Sequence, residues 1–173
     1  MPLVFTKNID SNTKLGIWEI TETEDFLQSF TNNFDQFNSI KSEKLRLQKL
    51  AVRAILYQFE LPTSINYHES GKPYMEKLHI GISHSNNYAA VITSKEQNVA
   101  IDIETSMEKA WKVKHLFLHP KELKAIKTPQ EACLVWSTKE CYIKLHDNKQ
   151  INLKELITSK FPDFGSTIPI LPA

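Results

Sequence analysis

Trp136-Ser137-Thr138-Lys139-Glu140-Cys141-Tyr142-Ile143-Lys144 is the stretch where a helix stops behaving as an ordinary amphipathic one. Its start is signalled upstream: Thr128 and Glu131 stand as a capping box, and Pro129 fits the first helical position. The pattern predicts a helix over 129–146. At about 100° per residue, Leu134, Cys141 and Leu145 share one line with Val135 and Tyr142 beside it, the expected core stripe. Trp136, Glu140 and Lys144 repeat at i, i+4, i+8 on a different face. A wholly solvated face rarely carries a Trp, so this second face is expected to line a cleft and to hold an acid and a base there.

Taken alone, Glu140 and Lys144 read as a surface ion pair worth about 0.2–0.5 kcal/mol. A second acidic stretch, Val99-Ala100-Ile101-Asp102-Ile103-Glu104, changes that weighting. Its alternation predicts a strand with Ile101 and Ile103 on one face and Asp102 and Glu104 on the other. Two carboxylates at i, i+2 on one face repel unless something positive sits between them. With Glu140 added, three carboxylates would hold one hard divalent cation through oxygen ligands, leaving positions for water and phosphate, which suits Mg²⁺. Lys144, one turn beyond Glu140, would reach a phosphate oxygen that the metal also touches.

Four stretches now stand in order: Gly71-Lys72-Pro73, Ile82-Ser83-His84-Ser85, Ala100-Ile101-Asp102-Ile103-Glu104, and Trp136 to Lys144. Together they resemble the successive signatures of the 4'-phosphopantetheinyl transferases, in the order and spacing of the larger, pseudo-dimeric type. The resemblance covers Gly71 to Lys144 and thins outside it. It implies an α+β fold of two pseudo-symmetric lobes, each with a small antiparallel sheet and helices, the second lobe abbreviated. It also implies coenzyme A as substrate and an apo acyl or peptidyl carrier protein as partner.

The resemblance extends to single residues. Lys72 and Pro73 would pack near the nucleotide, and Ser83 and His84 would contact the phosphates of coenzyme A. Arg46 and Arg53, on a helix expected over 42–59, fit the family's phosphate-holding cations, and Lys44 fits less well. Asp102, Glu104 and Glu140 would hold the metal, with Glu140, Lys144 and His84 as the catalytic group.

Length and composition set separate bounds. At 173 residues the chain is one domain, or two small lobes sharing a core, with a sizeable apolar interior. A net charge of +1 argues against a general nucleic-acid or membrane coat. Cys133 and Cys141 lie on the same expected helix, too far apart along it to bridge, and are taken as reduced in a cytoplasmic protein. There is no leader pattern, and no stretch approaches the roughly 18 apolar residues of a spanning helix. Four glycines leave no room for a glycine-rich phosphate loop, so side chains and helix ends must hold phosphate.

Taken in order, a strand is expected over 16–20, and a capping box of Thr21 and Glu24 starts a helix carrying Leu27, Phe30 and Phe34. Within the helix over 42–59, Leu47, Leu50, Ala51, Ala54 and Ile55 form a buried stripe. A short strand at 65–67 precedes the Gly71 turn. Leu78 to Ser85 runs from a strand into a polar turn holding His84, and 88–92 forms the return strand. The charged turn at 95–98 divides a first lobe, 1–97, from a second, 98–173. In the second, Leu116 and Phe117 are expected in the core, with Lys112, Lys114 and Lys121 offered to an acidic carrier helix. Beyond Lys144 only a short helix around 153–157 and a Pro-rich end, Ile168 to Pro172, are expected. A monomer is expected, a dimer being the alternative if a partner chain covers a missing sheet edge.

The expected reaction is Mg²⁺-dependent transfer of the 4'-phosphopantetheine arm to a carrier serine, that is, holo-acyl-carrier-protein synthase activity. The rivals are a coenzyme A-binding relative without turnover and a Mg²⁺-dependent phosphodiesterase on the same carboxylates. A network of surface charges with no chemistry is the plainest reading of all.

Overall fold

The computed structural model describes residues 3–32, 35–148 and 150–158. The chain is mixed α+β and divides into two compact units, one closing at Ile103 and the other opening at Glu104.

The first unit is built on a four-stranded antiparallel sheet in the order β1-β2-β6-β5. Its strands are β1 (Leu3–Asn8), β2 (Thr13–Glu19), β5 (His79–Ser85) and β6 (Tyr88–Ser94), and β3 (Asn66–Tyr67) with β4 (Pro73–Tyr74) forms a separate small hairpin. Gly16 of β2 stands opposite Val91 of β6. A Cβ there would lie 2.8 Å from Phe59 Cζ and 2.9 Å from Ile55 Cγ2, so only glycine lets helix α2 (Glu43–Gln58) lie this close to the sheet. Leu50, Ala51, Ala54 and Ile55 are fully buried on that helix, as their spacing predicts, and Leu47 packs at the edge of the same cluster. Ser42 caps its start by accepting from Leu45 N–H. Its end is closed by Glu60 in the left-handed region, with Glu60 N–H donating to the Tyr57 carbonyl and Leu61 N–H to the Leu56 carbonyl.

Helix α1 (Glu24–Gln28) starts later than its capping pattern suggests, with Thr23 and not Thr21 accepting from Phe26 N–H. The reason is local: Ile20 N–H is still bonded to the Asn87 carbonyl at 2.7 Å, and Thr21 N–H to the Glu22 carboxylate, so the chain has not yet left the sheet. Leu27 is buried, while Phe30 lies beyond the helix with its ring edge-on to Trp18 at 5.8 Å. Phe34 lies outside the described residues.

The second unit carries α3 (Met107–Phe117), α4 (Pro120–Ala125) and α5 (Pro129–His146). Among its described residues there is no strand, so the small sheet expected in this half is not found there. Its core joins Ala110, Phe117, Leu118, Ile126, Ala132 and Val135, with Trp111, Leu123, Trp136 and Leu153 against them. Leu116, expected inside beside Phe117, is 60% exposed, because α3 turns Ala110 and Phe117 inward at i, i+7. The stretch 153–157 is not a helix, and only 153–155 form a turn. Asn152 Oδ1 accepts from Lys154 N–H, and the Leu153 carbonyl accepts from Lys139, which takes it out of any helical ladder. The Pro-rich end lies outside the described residues.

Candidate functional site

The acidic segment is where structure and periodicity part. Residues 98–104 form no strand. The backbone at Ala100 and Ile101 instead passes directly against β5: a Cβ on Gly81 would stand 3.0 Å from Ala100 Cα and 3.2 Å from Ile101 N. Two residues on, on the same face, Ser83 Oγ donates to Asp102 Oδ1 at 3.1 Å and accepts from Ile103 N–H at 3.2 Å. A side chain thus does what a backbone ladder was expected to do. Gly81 supplies the room and buried Ser83 the two bonds. Alternation at Ile101 and Ile103 marks an extended chain, but it does not require a neighbouring strand.

His84 belongs to β5 and not to the turn, which is made by Asn86 and Asn87 with Asn86 at φ 50°. Strand alternation sends His84 to the opposite face from Ser83: the serine is buried, the histidine exposed. Within this unit the two are therefore neighbours in sequence but do not share a face. Lys72 sits in the β3–β4 connection, where Gly71 takes φ 87° and its N–H donates to the His68 carbonyl. Lys72 N–H donates to Ser70 Oγ, and Pro73 opens β4 opposite Tyr67. Aromatic rings line this hairpin, His68 against Tyr74 at 4.4 Å and Lys49 Nζ above Tyr67 at 4.9 Å.

Both candidate arginines of α2 are engaged inside the first unit. Arg46 meets Glu24 through two bonds, Nε to Oε1 at 2.7 Å and Nη2 to Oε2 at 3.0 Å, and also donates to the Ile40 carbonyl. The hydrogen bonds from Arg46 hold the Glu24 carboxyl below its ordinary value. Arg53 is 1% exposed, its guanidinium above the Phe37 ring at 5.1 Å, and its Nε finds no acceptor among the described residues. A phosphate contact from Arg46 would displace Glu24, and one from Arg53 would open the packing around Phe37. Lys44 is exposed.

In the second unit, Trp136 Nε1 donates to Glu104 Oε1 at 3.0 Å. The indole also packs edge-on to Phe117 at 5.1 Å, so the half-buried Trp136 lies against the core of the second unit. Glu140 and Lys144 follow on α5 at four-residue intervals, both half-buried.

A buried pair escaped the sequence reading. Lys139, 1% exposed, donates to Glu122 Oε2 at 2.6 Å, to the Phe117 carbonyl at 2.8 Å and to the Leu153 carbonyl at 2.9 Å. Glu122, 4% exposed, also accepts from His119 N–H and from the N–H and Oγ1 of Thr158. Burial alone would raise its carboxyl, but the Lys139 ammonium and the donors of Thr158 and His119 outweigh that and hold it below the ordinary range. The sequence did carry a signal, since Lys139 extends the Ala132–Val135 line by one turn and so falls on the buried side.

The exposed side of α3 and α4 is basic. Lys109, Lys112, Lys121 and Lys124 are exposed there together with Val113 and Leu116, and Lys114 lies over the Trp111 ring. Among the described residues, no three His, Cys, Asp or Glu side chains stand together as a ready ligand set, and no helix is long and apolar enough to cross a membrane. No protein-family model matches the chain, and no curated protein matches it.

Proposed function

We propose that the protein transfers the 4'-phosphopantetheine arm of coenzyme A to a serine of an apo acyl or peptidyl carrier protein, releasing adenosine 3',5'-bisphosphate. One observation carries the reading: the two carboxylates of the acidic motif are each held by a donor from another motif, Asp102 by Ser83 and Glu104 by Trp136. Three unrelated matches would have no reason to hydrogen-bond one another. Outer donors that fix carboxylate orientation are what a metal-ligating carboxylate needs.

The donor set fits a hard divalent cation, since Asp102, Glu104 and Glu140 supply oxygen only. Mg²⁺ bound by them would offset the charge of the pyrophosphate and of the leaving oxygen. The carrier serine Oγ attacks the phosphorus that bears the pantetheine arm; the new O–P bond forms as the bridging O–P bond breaks, and its electron pair leaves with the nucleotide. Glu140, or Glu104 through a water, accepts the serine proton. Lys144 and His84 donate to the departing phosphate, and Lys72 meets the nucleotide. The basic side of α3 and α4, with Val113 and Leu116 among its lysines, receives an acidic carrier helix.

Calorimetric titration with coenzyme A in the presence and absence of Mg²⁺ tests the substrate. Binding strengthened by Mg²⁺, with that gain lost in Asp102→Asn and Glu140→Gln, is expected. A wild-type protein that binds no coenzyme A under either condition contradicts the reading, and binding without transfer marks the coenzyme A-binding relative instead.

A further inference from the structure

We infer that the buried Lys139–Glu122 pair sets the rotation of α5 about its own axis, and that Lys139 is thereby a positioning residue for Glu140 and Lys144. The functional part of this inference rests on the transfer reading above; the geometric part does not.

Helix α5 has two apolar lines. Ala132 and Val135 face the core of the second unit, while Leu134, Cys141 and Leu145 are centred about 130° round the helix and are half-buried. The line with the larger side chains is the one that periodicity selects, yet the smaller pair is turned to the unit's core. Apolar patterning therefore leaves the rotation under-determined. Lys139 resolves it, because its three ammonium protons have three acceptors on three different pieces of chain: Glu122 on α4, the last residue of α3, and Leu153 after α5. No other rotation of α5 would satisfy a buried ammonium in this way.

Stability is a weak reason for such a pair. Desolvation of two buried charges offsets most of their attraction, and apolar replacement of both is often neutral, whereas register and orientation are the best-attested returns. What needs orientation here is the next residue: Glu140 projects about 100° round from Lys139, and Lys144 follows it one turn on. The same pair ties down the segment after α5, since Thr158 gives both its N–H and its hydroxyl to Glu122.

The test uses the full chain with Lys139→Met, Glu122→Gln and the double variant Lys139→Met/Glu122→Leu. Two readouts need no activity: the indole N–H resonance of Trp136, which reports its bond to Glu104, and hydrogen exchange at Thr158. The expected result is a folded double variant in which the Trp136 resonance moves and Thr158 protection is lost. In that variant kcat for transfer falls about tenfold or more while KM for coenzyme A stays within about twofold. A folded double variant with unmoved resonance and full exchange protection overturns the inference, since packing would then set the rotation. So does a double variant that cannot fold, since the pair would then serve stability. A wild-type chain without transfer activity, but with the resonance and exchange changes above, removes the catalytic reading and leaves the orientation role standing.

Discussion

Ser83 Oγ stands between Asp102 and Ile103, 3.1 Å from Asp102 Oδ1 and 3.2 Å from Ile103 N, and so fastens the acidic segment to an edge strand without a backbone ladder. Ser83→Ala removes a donor and an acceptor at once from a buried position. A loss of about 1–3 kcal/mol is expected, read as a lower urea midpoint at unchanged slope. Ser83→Thr, which keeps the hydroxyl, should recover part of it. An alanine variant as stable as wild type would show that the segment is held by other contacts.

Glu122 makes the second unit acid-sensitive in a defined sense. Its folded-state titration lies below the ordinary value of 4.5, so it favours the folded state fully above that value and ceases to do so as pH falls through the lowered one. The urea midpoint of Glu122→Gln should therefore lie furthest below wild type near neutral pH, and the gap should narrow as pH falls below about 4.5. A gap that stays constant down the acid range would contradict this assignment.

Arg53 places a charge in an apolar core. Arg53→Met keeps the length of the side chain and discards the charge, and should change stability by less than about 1.5 kcal/mol. Arg53→Ala opens a cavity under Phe37 and should cost about 2–4 kcal/mol. Because the guanidinium is enclosed, KM for coenzyme A should stay within about twofold in the methionine variant. A rise of about tenfold would show that Arg53 reaches a phosphate after all.

On the α3–α4 side, reversing Lys112 and Lys121 together to Glu should raise KM for an acidic carrier protein by about tenfold or more and leave KM for coenzyme A unchanged. The wild-type carrier KM should rise with added salt and the variant's should not. Equal effects on both substrates would place the lysines elsewhere in the reaction.

The local signals of α5 and α2 were legible and held, whereas the capping box of Thr21 and Glu24 did not, Thr23 being the cap. The capping box of Thr128 and Glu131 with Pro129 set the start of α5, and its end fell at His146 as expected, because these contacts span only a few residues. The stripe of α2 and the pairing of β5 with β6 were legible for the same reason. What could not be read were relations set at a distance. Alternation in 99–104 gave an extended chain but not its neighbour, which is a serine side chain instead of a strand. The periodicity of α5 offered two apolar lines, and Lys139, which decides between them, lies on the line of the smaller pair, Ala132 and Val135, that periodicity ranks second. Trp136 stands out on a polar face, and the structure accounts for it: the half-buried ring packs against Phe117 of the core and its N–H donates to Glu104.

The most direct test of the proposed reaction is the intact mass of an apo acyl carrier protein after incubation with this protein, coenzyme A and Mg²⁺, beside Glu140→Gln and metal-free controls. The account predicts a gain of one phosphopantetheine arm per carrier with wild type and Mg²⁺, and none in either control. An unchanged carrier mass with every partner present, across both acyl and peptidyl carriers, would contradict it.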